Sequence, residues 1–244
     1  MGNMRLIRNF LAYILAFLFI LLLFFPVLLV SGLLKRDKFL YTSARLVIRA
    51  TLKVLGVKTK VRGFNAGDFS RPPVVICNHL SNLDGPMLLS ILPVNPRVLI
   101  KAEARKIPLV GWIMQLADFV FVDRSSPQRR QEALAEAIEK ISNKHYSFLV
   151  FPEGTRSKSG SIQDFKKGSF LIASKAGAPL LPVRISGTRG LLPPGRKTCG
   201  SGTVTIDFFP LLDLGNTPES ELAGFISRLQ QKIYTDEKHE NHRS

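Results

Sequence analysis

From Phe10 to Leu34 the chain reads FLAYILAFLFILLLFFPVLLVSGLL, 25 residues without a charge. This run limits the possible folds more than any other feature. A straight helix of that length would be ~37 Å long, more than a hydrocarbon core of ~30 Å requires. No soluble core needs a helix apolar on every face for such a distance, so the run predicts membrane insertion. A cleaved signal peptide fits less well. Its apolar stretch is usually roughly 7–15 residues, and Val30-Ser31-Gly32 makes a poor cleavage site. Arg5 and Arg8 flank one side while Lys35, Arg36 and Lys38 flank the other, so charge asymmetry does not orient a single span. Pro26 could kink the helix.

A second helix is expected from about Phe39 to Leu55. Leu40, Val47, Ile48, Leu52 and Leu55 recur at helical spacing with Arg45, Arg49 and Lys53 between them, the pattern of an interfacial helix. Two arrangements stay open. One is a two-helix membrane hairpin with both ends on the cytoplasmic side; the other is one tilted span followed by a helix of the soluble domain.

After Gly56 short apolar or β-branched runs alternate with helical stretches. Expected strands are Lys58–Arg62, Val74–Cys77, Arg97–Leu99, Phe119–Val122, Phe148–Phe151, Leu181–Ile185 and Val204–Phe208. Several are continuously apolar, as strands covered on both faces are. The clearest helix runs from Pro127 to Lys144, with Ser125 or Ser126 as its cap and Leu134, Ile138 and Ile141 on one face. Others are expected over Lys166–Lys175, with Gly177 as a stop, and over Pro218–Tyr234. The pattern predicts an α/β fold: a mixed, largely parallel sheet of about seven strands flanked by helices. Residues 1–56 form the anchoring helices, 57–234 one soluble domain and 235–244 a polar tail that frays. The segment Gly195–Gly202, GRKTCGSG, reads as a surface insertion.

Lys and Arg number 34 against 18 Asp and Glu, a formal charge of +16. Such an excess favours anionic partners: phospholipid head groups, phosphorylated substrates or nucleic acid. Nucleic acid fits poorly, because the basic residues are dispersed and no stacking-aromatic motif is present. Cys77 and Cys199 form no CxxC pair, which excludes thiol-only zinc sites, and Cys77 in VVICN reads as a small buried hydrophobe. Beyond His79 the chain has only His145, His239 and His242, so no metal site is expected.

Asn78-His79-Leu80-Ser81-Asn82-Leu83-Asp84 directly follows the expected strand Val74–Cys77. Catalytic groups of α/β folds often sit where a strand ends. Five steps of a straight helix would leave His79 and Asp84 ~140° apart, so they meet only if the chain bends, as Asn82 and Gly85-Pro86 allow. An imidazole held by a carboxylate takes a proton from an alcohol as that alcohol attacks a thioester. The chain has no GxSxG elbow to supply a nucleophile of its own. Direct transfer to the substrate's hydroxyl is therefore expected rather than an acyl-enzyme.

Cations recur at other expected strand ends. Phe151-Pro152-Glu153-Gly154-Thr155-Arg156-Ser157 follows one strand; Gly154 permits close backbone approach, while Thr155 and Arg156 supply donors. Lys166 and Lys167 open the next helix, a favourable place for an anion. Arg124 and Lys101 end two further strands. On one rim of the sheet these groups would suit a phosphate-bearing substrate.

These residues resemble the glycerolipid acyltransferases of the 1-acylglycerol-3-phosphate acyltransferase family. NHLSNLD matches that family's NHxxxxD block, Phe121-Val122-Asp123-Arg124 the end of its second block, FPEGTRS its third, and Leu181-Pro182-Val183 its fourth; Phe165-Lys166-Lys167-Gly168 agrees too. The similarity covers about residues 60–210. One departure stands out: where the second block usually has glycine six residues before its arginine, this chain has Asp118.

The resemblance implies His79 as general base and Asp84 as its orienting partner. It implies that Arg124, Glu153, Gly154 and Arg156 help bind the glycerol-phosphate part of a lysophospholipid acceptor. The donor would be acyl-coenzyme A or acyl-carrier protein, acting as cosubstrate with no resident cofactor. The product would be phosphatidic acid, made at a membrane with the active site facing the cytoplasm. The same motifs would serve glycerol-3-phosphate, another lysophospholipid or a lyso-aminolipid. A membrane-anchored anion-binding protein without catalysis is the reading from another class.

Overall fold

The computed structural model describes residues 2–19, 37–63, 69, 71–108, 110–157, 161–215 and 217–240. Seven strands form one sheet: β1 (Val57–Arg62), β2 (Val74–Cys77), β3 (Arg97–Lys101), β4 (Val120–Val122), β5 (Phe148–Val150), β6 (Leu180–Ser186) and β7 (Gly202–Phe208). Their spatial order is β1-β7-β6-β2-β5-β3-β4. Among these strands β6 and β7 pair antiparallel and the other neighbours pair parallel. The expected mixed, largely parallel sheet is present, with strand ends moved by a residue or two.

Strand β2 is buried at every position because it lies in the middle of the sheet with helices on both faces. Its alternate residues feed two cores. Val75 and Cys77 face a cluster that includes Leu52, Met87 and Leu88, on the helices α2 (Asp37–Val54) and α3 (Asp84–Ile91). Val74 and Ile76 face the helices α5 (Pro127–Lys144), α6 (Gly168–Lys175) and α8 (Glu219–Glu240), through residues such as Ala137, Phe170 and Ile226. The result is helix, sheet and helix in three layers. The remaining α-helices among the described residues are α1 (Gly2–Phe19), α4 (Val110–Leu116) and the single turn α7 (Thr188–Leu191), and a 3-10 helix spans Ala102–Lys106.

Helix α5 starts as its sequence dictates. Ser126 Oγ accepts the Arg129 N–H at 3.1 Å, with Pro127 in the first turn. Helix α8 runs past Thr235 to Glu240, into the tail expected to fray. The stretch has no Gly or Pro and is rich in Glu and Lys, which favour helix. Residues 241–244 lie outside the described residues.

Among the described residues no helix is long and apolar enough to cross a membrane. Helix α1 contains Phe10–Phe19 of the apolar run. Residues 20–34, and with them the choice between hairpin and tilted span, lie outside the described residues. The expected surface insertion 195–202 is in part a docking seat for α1. Buried Asn9 donates to the Cys199 carbonyl at 3.0 Å and accepts the Cys199 N–H at 2.7 Å, and Arg8 donates to the same carbonyl.

The basic stripe of α2 also differs from an interfacial helix. Arg45 donates to the carbonyls of Leu89, Leu92 and Val94, and Arg49 to that of Ser90. These guanidinium groups satisfy carbonyls at and just beyond the C-terminal end of α3, where cations contribute about 0.3–1 kcal/mol each. Periodicity cannot distinguish a cation that faces lipid from one that caps a neighbouring helix.

Candidate active site

Strand β2 ends at Cys77, and the next two residues are fixed before any chemistry begins. The Asn78 side chain, 1% exposed, makes both amide hydrogen bonds to Ile185 of β6: Nδ2 to the carbonyl at 2.9 Å and Oδ1 from the N–H at 2.8 Å. His79 follows, and the chain turns through Ser81–Leu83 so that Asp84 opens α3. This is the bend the spacing required. His79 Nδ1 lies 2.9 Å from Asp84 Oδ2, and that oxygen also accepts the N–H groups of Leu80 and Ser81, both at 2.7 Å.

Asp84 is fully buried and its other oxygen, Oδ1, has no hydrogen-bond partner among the described residues. A carboxylate so incompletely compensated attracts the positive charge that forms on an imidazole accepting a proton. His79 itself remains 21% exposed. With Nδ1 engaged, Nε2 is the nitrogen left to act as base.

The FPEGTRS loop holds the same histidine from the other side. The ring stacks on Phe151 with centroids 4.0 Å apart. Glu153 Oε1 accepts the His79 N–H at 2.7 Å, and the Ser157 N–H donates to the His79 carbonyl at 3.0 Å. Arg189, on α7, donates to the Ser157 carbonyl at 2.8 Å. His79 is thus held by both its peptide groups, by one ring nitrogen and by its ring face. Sequence reasoning singles out neither Asn78, Phe151 and Ser157 as supports nor Arg189 at all. The first three lie inside the matched blocks, while Arg189 carries no local signal.

The expected anion-binding residues fall into two groups. Arg156 is exposed and donates to Asn82, on the turn that joins His79 to Asp84. Gly154 has φ +72°, and Lys166 Nζ sits 3.0 Å from where a Cβ would be, so a larger residue would meet both strain and the amine. Thr155 Oγ1 lies 3.2 Å from Gln163 Oε1. All three lie between Glu153 and Ser157, the two residues of this loop that hold the peptide groups of His79.

Lys167, expected beside them, instead pairs with Glu219 at 3.0 Å, the N-terminal residue of α8. Its neighbour Lys166 is the lysine on the site side. Lys101 pairs with exposed Glu103 at 2.7 Å, and Arg124 is exposed just past β4. Strands lie ~4.8 Å apart, so β3 and β4 end roughly 10 and 14 Å to one side of β2. The backbone at those two cations therefore starts to one side of His79, on the same rim of the sheet.

Glu153 is 1% exposed and spends both oxygens on backbone, Oε2 accepting the Gln163 N–H at 3.0 Å. Burial raises its carboxyl above the ordinary value, opposed by those two N–H groups and by His79. Both oxygens are thus committed to backbone N–H groups, one of them that of His79. Glu153→Gln places an NH2 group against one of the two N–H donors. It is expected to lower kcat about 10²-fold and leave the acceptor KM within about twofold, read by steady-state kinetics. A raised KM at unchanged kcat would instead mean direct contact with the acceptor.

Asp118, the departure in the second block, has φ 58°, the left-handed conformation that favours glycine. It terminates α4, with the Phe119 N–H reaching back to the Met114 carbonyl. Its carboxylate is held by Lys140 at 2.6 Å and Lys144 at 3.2 Å. The backbone shape expected of a glycine is kept, and two lysines of α5 compensate the substitution. Cys77 is buried, and burial, with the nearby Asp84 and Glu153 charges, pushes its thiol well up, as suits a core residue and not a nucleophile.

The family model for acyltransferases matches residues 58–186, the span that holds this constellation from Asn78 to Ile185. The chain belongs to the acyltransferase family. Similar proteins include the Saccharomyces cerevisiae 1-acyl-sn-glycerol-3-phosphate acyltransferase, 29% identical over 195 residues, covering 79% of this chain and 64% of that protein. The Homo sapiens 1-acyl-sn-glycerol-3-phosphate acyltransferase beta is 27% identical over 188 residues, covering 77% and 68%. The crystal structure of the 1-acyl-sn-glycerophosphate (LPA) acyltransferase PlsC from Thermotoga maritima superposes with a TM-score of 0.78 at 32% identity, covering 96% of this chain and 98% of that one. This acyltransferase thus spans about two thirds of the length of those two curated relatives and nearly all of the solved one.

Proposed function

We propose that this acyltransferase moves a fatty acyl group from acyl-coenzyme A or acyl-carrier protein to the sn-2 hydroxyl of 1-acylglycerol-3-phosphate, giving phosphatidic acid. The observation that carries the reading is the His79–Asp84 pair, 2.9 Å apart and fixed beside Arg156. His79 Nε2 takes the hydroxyl proton while the oxygen attacks the thioester carbon. The tetrahedral intermediate collapses, the carbon–sulfur bond breaks, and the imidazolium gives its proton to the departing thiolate. Asp84 holds the tautomer that makes Nε2 the acceptor. No residue is acylated, and the thioester is a cosubstrate, so the chemistry calls for no resident cofactor.

Arg156, with Lys166 across Gly154, binds the acceptor phosphate, and Arg124 and Lys101 add positive potential along the rim. The acceptor is a lipid, which fits a chain attached to a phospholipid membrane through its N-terminal apolar run, its site toward the cytoplasm. The names of the yeast, human and Thermotoga relatives support the acceptor assigned here.

The experiment crosses acceptors with both donors and repeats the productive pair with Arg156→Ala. Phosphatidic acid from 1-acylglycerol-3-phosphate is the expected product. The variant should raise the acceptor KM about 10- to 100-fold, as loss of one charge-assisted contact does. Unchanged acceptor kinetics, or turnover confined to another acceptor, contradicts the assignment.

A further inference from the structure

Outside α1 and α2, the described residues include five exposed large apolar side chains, and four fall within ten residues: Ile107, Val110, Trp112 and Leu116. Trp112 and Leu116 are four apart on α4, so they share a face. On its other side α4 is fastened to the fold: Ile113 and Ala117 pack with Leu40 and Ala44 of α2. Gly111 lies so close to the Arg105 carbonyl that a Cβ would overlap it, so the approach to α4 admits no other residue. A firmly held short helix thus presents an indole and a leucine outward.

The flanking charge is basic. Lys101, Arg105 and Lys106 precede the patch, and Glu103, the acid among them, is paired with Lys101. The apolar surface also continues. A cleft of about 220 Å³ lined by Leu40, Ala44, Ile48, Ile113 and Met114 joins α4 to α2, where Phe39 and Leu46 are exposed. Helix α1 adds Leu6, Phe10 and Ile14.

We propose that Ile107–Leu116 is a membrane contact separate from the N-terminal run: α4 lies in the boundary between head groups and acyl chains of an anionic phospholipid bilayer. Trp112 and Leu116 enter the boundary, and Arg105 and Lys106 meet lipid phosphates. An indole suits that zone, with an apolar body and a polar N–H. A bilayer is favoured over a second copy of the chain because two such basic patches repel each other at a net charge of +16. The inference goes beyond the assigned reaction and does not depend on the acceptor's identity.

Trp112 is the chain's single tryptophan, so its emission reports this site alone. The full chain is mixed with vesicles of equal parts phosphatidylcholine and phosphatidylglycerol, with or without bromine on the upper acyl chain. The expected result is a blue shift, quenching by brominated lipid of about twofold or more, and loss of quenching by aqueous iodide. The Ile107→Ser, Leu116→Ser double variant should lose most of the bromine quenching. It should also turn over bilayer-embedded acceptor roughly tenfold more slowly at limiting lipid, while keeping its rate on a water-soluble short-chain acceptor.

Wild-type Trp112 that stays open to iodide and unquenched by bromine, in protein that sediments with the vesicles, overturns the proposal. So does shielding from iodide that needs no lipid and grows with protein concentration, the sign of self-association. Bromine quenching in a chain without acyl transfer would leave this contact standing and remove only the catalytic reading.

Discussion

His79→Ala is expected to lower kcat about 10³-fold while the protein stays folded. Positioned general bases contribute 10²–10⁴-fold, and here no enzymic nucleophile shares the load. The structural cost is small by comparison. Removing the ring takes one of three donors from Asp84 Oδ2, and the Leu80 and Ser81 N–H groups remain on that oxygen. The turn therefore persists at a cost of about 1 kcal/mol, a shift of roughly 2–4 °C in Tm for a domain of this size. Transfer of labelled acyl groups and a thermal scan on the same preparation separate the two effects. Near-normal turnover in a folded variant would remove His79 from its role.

Asp84→Asn is expected to cost nearly as much, about 10²–10³-fold in kcat, for a different reason. The amide oxygen can take the place of Oδ2 and still accept from Leu80, Ser81 and His79 Nδ1, so the turn and the ring tautomer persist. The NH2 group takes the unpartnered place of Oδ1, and what is lost is the buried negative charge that stabilises the imidazolium as it forms. The acceptor KM should change little. Asp84→Ala provides the contrast: it leaves two buried N–H groups without an acceptor, at about 1–3 kcal/mol each, and should lower Tm markedly as well as activity. If Asp84→Asn retained most of its rate, Asp84 would be only a cap for the catalytic turn.

The elements that run on local rules are legible in the amino-acid order itself. Val74–Cys77 reads as a buried strand because all four residues are apolar, and the sheet covers all four. Ser126 and Pro127 mark the start of α5 in the sequence and in the fold. The site is legible only in part. That His79 meets Asp84 requires a bend, which Asn82 and Gly85-Pro86 announce.

What Glu153 does is hidden, because a glutamate beside a glycine and an arginine reads as part of a ligand site. Its two backbone partners, His79 and Gln163, lie on either side of it in sequence, one of them 74 residues away. Lys166 and Lys167 are equivalent as letters in a motif. Their separation into a site lysine and a partner for Glu219 follows from the turn into α6, which adjacent sequence does not encode. Arg45 and Arg49 read as lipid-facing for a related reason, since their actual target is the end of another helix. In each case the missing information is a contact between segments distant in the chain.

The two matched motifs therefore act as one device. FPEGTRS sets Arg156 against Asn82 of the NHLSNLD turn, and through Phe151, Glu153 and Ser157 it also fixes the histidine of that turn. Asn78 and Arg189 tie both loops to β6 and α7. Rigid support of this kind keeps a base within the few tenths of an ångström that proton transfer demands.

The most direct test follows thiol release and phosphatidic acid together over the first turnovers, with purified enzyme, acyl-coenzyme A and 1-acylglycerol-3-phosphate. Direct transfer predicts that thiol and phosphatidic acid appear in step, one for one, with no release of thiol until the acceptor is added. A burst of thiol stoichiometric with enzyme in the absence of acceptor, or thiol release without phosphatidic acid, would contradict the account.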